Sequence, residues 1–167
     1  MNKYIPVSDL DETPPKLRSL LSFWESKAAG GKRPTRAELT PFSLQPWLGH
    51  IDIYRTERGG ADFRLVLNGT TVVEKTGEDW TGRTAQDVDN KYKLTLLADL
   101  QDVYARKVPR VDRITLFQKE HVTCYRLLLP VWEEGAEDRI REIFLSLFWS
   151  NDPQDDSVTF LKLETGT

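Results

Sequence analysis

The sequence predicts an α+β domain built on one five-stranded antiparallel sheet, with helices on one face and a helical extension at the N-terminus. Three observations carry this expectation. Residues 50–54 and 62–67 alternate apolar and polar side chains around a charged loop containing Gly59-Gly60, the composition of a hairpin. Tyr92, Leu96, Leu97, Leu100, Val103 and Tyr104 then recur at helical spacing and make one apolar stripe. Strand-like runs at 110–117, 122–132 and 141–149 follow with short breaks. Strands at both ends of a helical middle close most simply into one sheet with the long helix over a face.

Residues 1–12 are polar and mixed, a loosely ordered lead-in. Thr13-Pro14-Pro15 starts a helix, because Thr caps well and the missing N–H of Pro is harmless in the first turn. Leu17, Leu20, Leu21, Trp24 and Ala28 form its stripe, and Gly30-Gly31 ends it. Thr35 and Glu38 have capping-box spacing, and Thr40-Pro41 opens a short helix carrying Phe42, Leu44, Trp47 and Leu48, stopped by Gly49. In the first strand Ile51 and Ile53 share a face; in the second Phe63, Leu65 and Leu67 share one face, and Arg64 and Val66 the other.

Residues 68–76 support two readings. Asn68-Gly69 followed by Thr70, Thr71, Val72 and Val73 favours a hairpin and a strand. Val72, Val73 and Thr76 before Gly77 also make one helical turn with a glycine stop. Residues 78–82 form a tight polar turn around Trp80. Asp87 and Asp89 are N-cap candidates for the long helix, which Lys107-Val108-Pro109 terminates. Gly135 centres an acidic turn, and residues 158–163 read as a short added strand or an ordered tail.

With 167 residues the chain reads as one domain with extensions: 1–49 helical, 50–150 the sheet domain, 151–167 a tail. The net charge of −3 gives no general attraction to nucleic acid. One cysteine, Cys124, excludes an internal disulfide. No apolar run approaches the roughly 20 residues of a membrane span, and residues 1–15 lack the apolar core of a signal peptide, so cytoplasmic residence and no membrane span are expected.

Reaction chemistry is not visible. His50 and His121 are far apart and have no close-spaced ligand partner, so no metal is expected. Cys124 sits in a strand and reads as a small core residue. The carboxylate pairs Asp87/Asp89 and Glu133/Glu134 fall in turns and caps. The segment 77–82 lacks the lysine of a phosphate loop. Arg64 interrupts an apolar strand, and a buried arginine must be paired. It is either the anchor for an anionic ligand group or a salt bridge to Asp79, Glu78 or Asp87.

The order of these motifs resembles the PAS-like family of small alphaproteobacterial proteins with a helical lead-in. Phe23-Trp24, the run 33–53, FRLVLNGT at 63–70, EKTGEDWTGR at 74–83 and YRLLLPV at 125–131 carry the likeness, which spans about residues 17–149. The resemblance implies a PAS-like fold, in which 70–76 is a short helix rather than a strand. It implies a non-enzymatic sensory or signalling module. Haem is not expected, because the long helix offers no axial histidine, and no other cofactor is implied.

On this reading a small ligand sits between the sheet and the long helix. The candidate ligand-binding residues are Phe63, Arg64, Leu100, Tyr104, Tyr125, Leu127, Leu145 and Trp149. The partners expected are that ligand, a signalling protein, and a second copy of the chain held through the helix of residues 17–28, whose stripe needs either its own domain or that second copy as a partner surface. The alternative is a ligand-free dimerisation or protein-interaction module.

Overall fold

The structure, a computed structural model, describes residues 4–119 and 122–150. The expected strand at 158–163 and His121 lie outside them. Six antiparallel strands form one sheet: β1 (Tyr4–Pro6), β2 (Ile51–Glu57), β3 (Asp62–Leu67), β4 (Arg110–Lys119), β5 (Val122–Glu133) and β6 (Ala136–Trp149). Their order across the sheet is β1-β4-β5-β6-β2-β3. The five expected strands are present. The sixth comes from the supposed lead-in, where Ile5 pairs with Arg113 and extends the β4 edge. At three residues ending in proline, the strand is too short to show an alternating pattern.

Helix α1 (Pro15–Lys27) lies on one face of the sheet, as the apolar stripe requires. Leu17, Leu20, Leu21 and Trp24 are all buried against the sheet of their own chain. The indole Nε1–H of Trp24 donates to the carbonyl of Pro130 in β5 at 2.9 Å. The stripe is therefore not a free surface for a second copy, and the expected homodimer contact through it is corrected. The segment after α1 crosses the same face and ends in a 3-10 helix over Gln45–His50, so β2 begins at Ile51, one residue later than expected.

The other face is covered by α2 (Thr70–Thr76), α3 (Ala85–Tyr92) and α4 (Leu96–Arg106). The helical reading of 70–76 holds. Asn68 does not serve a hairpin, because its side chain is held by Asp52 and by the Trp80 N–H. Val72 becomes buried, and Gly77, at φ 84°, closes the helix with its N–H on the Val73 carbonyl at 2.7 Å. Such a φ costs glycine little.

The single long helix expected from residue 87 onwards is two helices. Thr84 and Asp87 cap α3 reciprocally, and α3 stops where Lys93 takes φ 56°. Asp89, inside α3, then accepts the Leu96 and Leu97 N–H groups at 2.8 and 2.9 Å and caps the start of α4. The apolar stripe runs through the break, which is why periodicity alone does not reveal it.

Gly69 fixes how α2 enters. A Cβ there would collide with the carbonyl of Gly49. Its φ of −61° is open to any residue, so the constraint is steric. Gly69→Ala is expected to destabilise the domain by about 1–3 kcal/mol, the usual cost of overpacking, read as a lower urea midpoint at unchanged slope.

Candidate ligand cavity

Paired residues in an antiparallel sheet share a face, so the register decides which side chains meet α2–α4. Asp52 of β2 pairs with Leu145 of β6, and Leu147 of β6 pairs with Arg126 of β5, which pairs with Asp112 of β4. These residues form the inner surface of the sheet. Between them and the helices lies a cavity of about 150 Å³. Its floor includes Asp52, Tyr54, Leu65, Ile114, Leu145 and Leu147. Val72 and Thr76 of α2, Val88 of α3, and Leu94 and Leu96 at the helix break form the roof. Glu78, Trp80 and Tyr92, more exposed, line it towards solvent.

Asp52 is the unusual group on the floor, at 5% exposure. Gly69 N–H and Asn68 Nδ2 both donate to its Oδ1, each at 2.7 Å. Among the described residues neither hydrogen bond reaches Oδ2. Burial pushes the carboxyl up to about 7, with the negative charge of Asp79 adding to the rise, and the two hydrogen bonds only partly oppose it. Asn68 passes the connection on: its Oδ1 accepts the Trp80 N–H at 3.0 Å. The turn around Trp80 is also clipped to β3, by Gly82 N–H on the Leu65 carbonyl at 2.7 Å and Leu65 N–H on the Arg83 carbonyl at 2.9 Å. At the solvent end Glu78 accepts from Trp80 Nε1 at 2.7 Å and from the Tyr92 hydroxyl at 3.0 Å.

The pH consequence of Asp52 has a definite sign. Its acidity is weaker folded than unfolded, so the folded state holds the extra proton and stability falls as pH rises towards and through 7. Between about pH 5.5 and pH 8 the loss from this group is expected to be about 2 kcal/mol. Asp52→Asn should flatten that slope and raise the melting temperature at the alkaline end. A slope unchanged in the variant would show that Asp52 ionises as it does in water.

Arg126 also lines the cavity and is 1% exposed. It donates from Nη2 to Asp99 at 2.8 Å and to Asp112 at 2.6 Å. Arg110 reaches the same two carboxylates at 3.1 Å each and Asp102 at 3.2 Å. The cluster ties α4 to β4 and β5. On the opposite face the fully buried Glu142 is flanked by Arg36 and Arg55, both at 3.1 Å.

Of the residues selected from sequence, Leu145 lines the cavity. Phe63, Leu100 and Tyr104 stand beside it in the contact between β3 and α4; Phe63 and Leu100 are fully buried, and the rings of Phe63 and Tyr104 meet edge-on at 6.1 Å. Trp149 shares the inner face but lies outside the cavity, with Lys75 of α2 over its ring at 5.6 Å. Tyr125 and Leu127 pair with Phe148 and Ser146 and point to the α1 face. Arg64 is also outside the cavity. It is half-exposed, ion-paired with Glu57 of the neighbouring strand at 2.7 Å, and donates to the Gly82 carbonyl at 2.7 Å. Its partner is Glu57 rather than Asp79, Glu78 or Asp87, because antiparallel pairing brings the two strands side by side.

Sequence reasoning missed Asp52, Asn68, Arg126, Trp80 and Tyr92 as a group. The signal applied to Arg64, a charge inside an apolar strand, also marks Asp52 and Arg126. His50 is a core histidine, with Nδ1 2.8 Å from the Leu147 carbonyl and its ring stacked on Phe148 at 4.8 Å. Burial pushes the Cys124 thiol up, which makes it a poor nucleophile. Among the described residues no group of His, Cys, Asp and Glu could hold a metal ion, and no helix is long and apolar enough to cross a membrane.

No curated protein and no solved structure matches the chain. The profile of the PAS domain family matches residues 12–144, from the turn before α1 into β6. That span holds both helical layers, strands β2 to β5 and the cavity lining apart from Leu145 and Leu147 of β6. The chain belongs to the PAS domain family.

Proposed function

We propose that this chain is a non-enzymatic sensory module that binds a small molecule in the cavity beneath α2–α4 and reports its occupancy to a signalling protein. PAS domains in general serve sensing or interaction, which supports the class. The observation that carries the ligand reading is the cavity itself, a space of about 150 Å³ with mostly apolar walls and the buried carboxylate of Asp52 on its floor. Natural cores are close-packed and hold few voids larger than a water molecule. Sites for small molecules combine apolar walls with a few placed polar groups.

The reading also supplies a route for output. Asp52 is joined through Asn68 to the turn at 77–82, and that turn meets solvent. A ligand that moves Asp52 changes the anchorage of a surface segment where a partner protein can read it.

A thermal-shift screen with compounds of up to about nine heavy atoms tests the proposal, since a ligand of the folded state raises the melting temperature by mass action. Hits are expected to stabilise the wild-type chain and to lose their effect in Leu145→Trp, which fills the floor. Stabilisation that survives in Leu145→Trp would place binding elsewhere and overturn the proposal.

A further inference from the structure

We infer that the ligand is a small cationic amine on an apolar ring, its ammonium group meeting Asp52. The inference rests on the reading of the cavity as a ligand site and adds the chemical class. Size comes first. A dry cavity of 150 Å³ is known to accept benzene, and the cavity here has about that volume. One ring with a short substituent fills it.

Charge comes second. The wall carries the carboxylates of Asp52 and Glu78 and one guanidinium, that of Arg126. The Arg126 charge is answered by Asp112 at 2.6 Å and Asp99 at 2.8 Å. The wall therefore has a surplus of negative charge. Asp52 sits on β2 and Arg126 on β5, with β6 between them, so their backbones are about 10 Å apart at the usual strand spacing. No cation of the chain lies within ion-pairing distance of Asp52 among the described residues.

Polar satisfaction comes third. Both hydrogen bonds to Asp52 fall on Oδ1, and Asp52 lines the cavity. A carboxylate buried in a mostly apolar wall with no cation beside it is costly, and a cationic donor relieves that cost most. The upward shift of this carboxyl to about 7 has the same origin, since burial penalises a charge that no neighbouring cation offsets. A neutral donor would satisfy the hydrogen bond but not the charge. An anion would face the acidic surplus.

Calorimetric titration of the full chain with four probes of one size tests the inference: benzylamine, benzyl alcohol, toluene and benzoate. Benzylamine is expected to bind at least about tenfold more tightly than benzyl alcohol or toluene, with benzoate weakest. In Asp52→Asn the preference for benzylamine should vanish while toluene binds as before. Equal or tighter binding of toluene or benzoate by the wild-type chain would overturn the amine and leave the ligand site standing. Binding of none of the four would overturn both. If Asp52→Asn does not fold, the wild-type order of the four probes decides alone, with ring contacts to the Leu145 and Leu147 methyl groups by nuclear Overhauser effect placing the probe.

Discussion

Replacing Arg126 with methionine is expected to lower the stability of the domain by about 3 kcal/mol, the lower end of the cost of breaking a buried ion pair. The side chain is 1% exposed and holds two carboxylates at once, Asp112, itself 0% exposed, and Asp99. Methionine keeps an unbranched apolar stem but is shorter and uncharged, and it leaves both acids with a single cation. The cost stays at the lower end because Arg110 remains 3.1 Å from each of them. The double variant Arg126→Met, Asp112→Asn should recover part of the loss, because it removes a buried charge that had lost one of its two cationic partners. Urea midpoints of the four proteins in the cycle give the comparison. A single variant as stable as the wild-type chain would mean that the cluster is hydrated rather than buried.

Trp24→Ala is expected to cost about 3–5 kcal/mol, the range for removing a large aromatic from a core. The indole is 6% exposed, lies 6.4 Å from the ring of Trp132, and donates to the Pro130 carbonyl. The loss therefore combines a cavity with an unpaired buried carbonyl. The oligomeric state of the protein that remains folded should not change, since Trp24 faces its own sheet. Denaturation and light scattering on the same samples separate the two effects. Dissociation of a wild-type dimer without loss of stability would contradict the placement of α1.

Much of this architecture is legible in the sequence because its period is long enough to read. The α1 stripe, the 62–67 strand and the late strands each repeat an apolar spacing over several residues. The helix at 70–76 runs against β propensity. It is fixed by the contact of Gly69 with Gly49 and by the use of Asn68 elsewhere, both of which are long-range. The break at Lys93 is hidden because Tyr92 and Leu96 continue one stripe across it.

The site was less legible for a related reason. Alternation along a strand says that Tyr125 and Leu127 share a face, but not that this face belongs to α1. Only the pairing of β5 with β6 decides it. Arg64 is a charge among apolar residues in the sequence, yet it lies on the outward side with Glu57. Arg126 and Asp52 carry the same signature in β5 and β2, and the register turns them inward.

The proposed binding of a small molecule in the space beneath α2–α4 is directly measurable. The most direct measurement is a methyl-resolved NMR titration of the intact chain with ring compounds of up to about nine heavy atoms. Saturable shifts at the methyl groups of Val72, Leu94, Leu145 and Leu147, with those of Leu20, Leu127 and Leu129 on the α1 face unmoved, are the result predicted. Shifts confined to the α1 face, or no saturable shift with any compound, would contradict it.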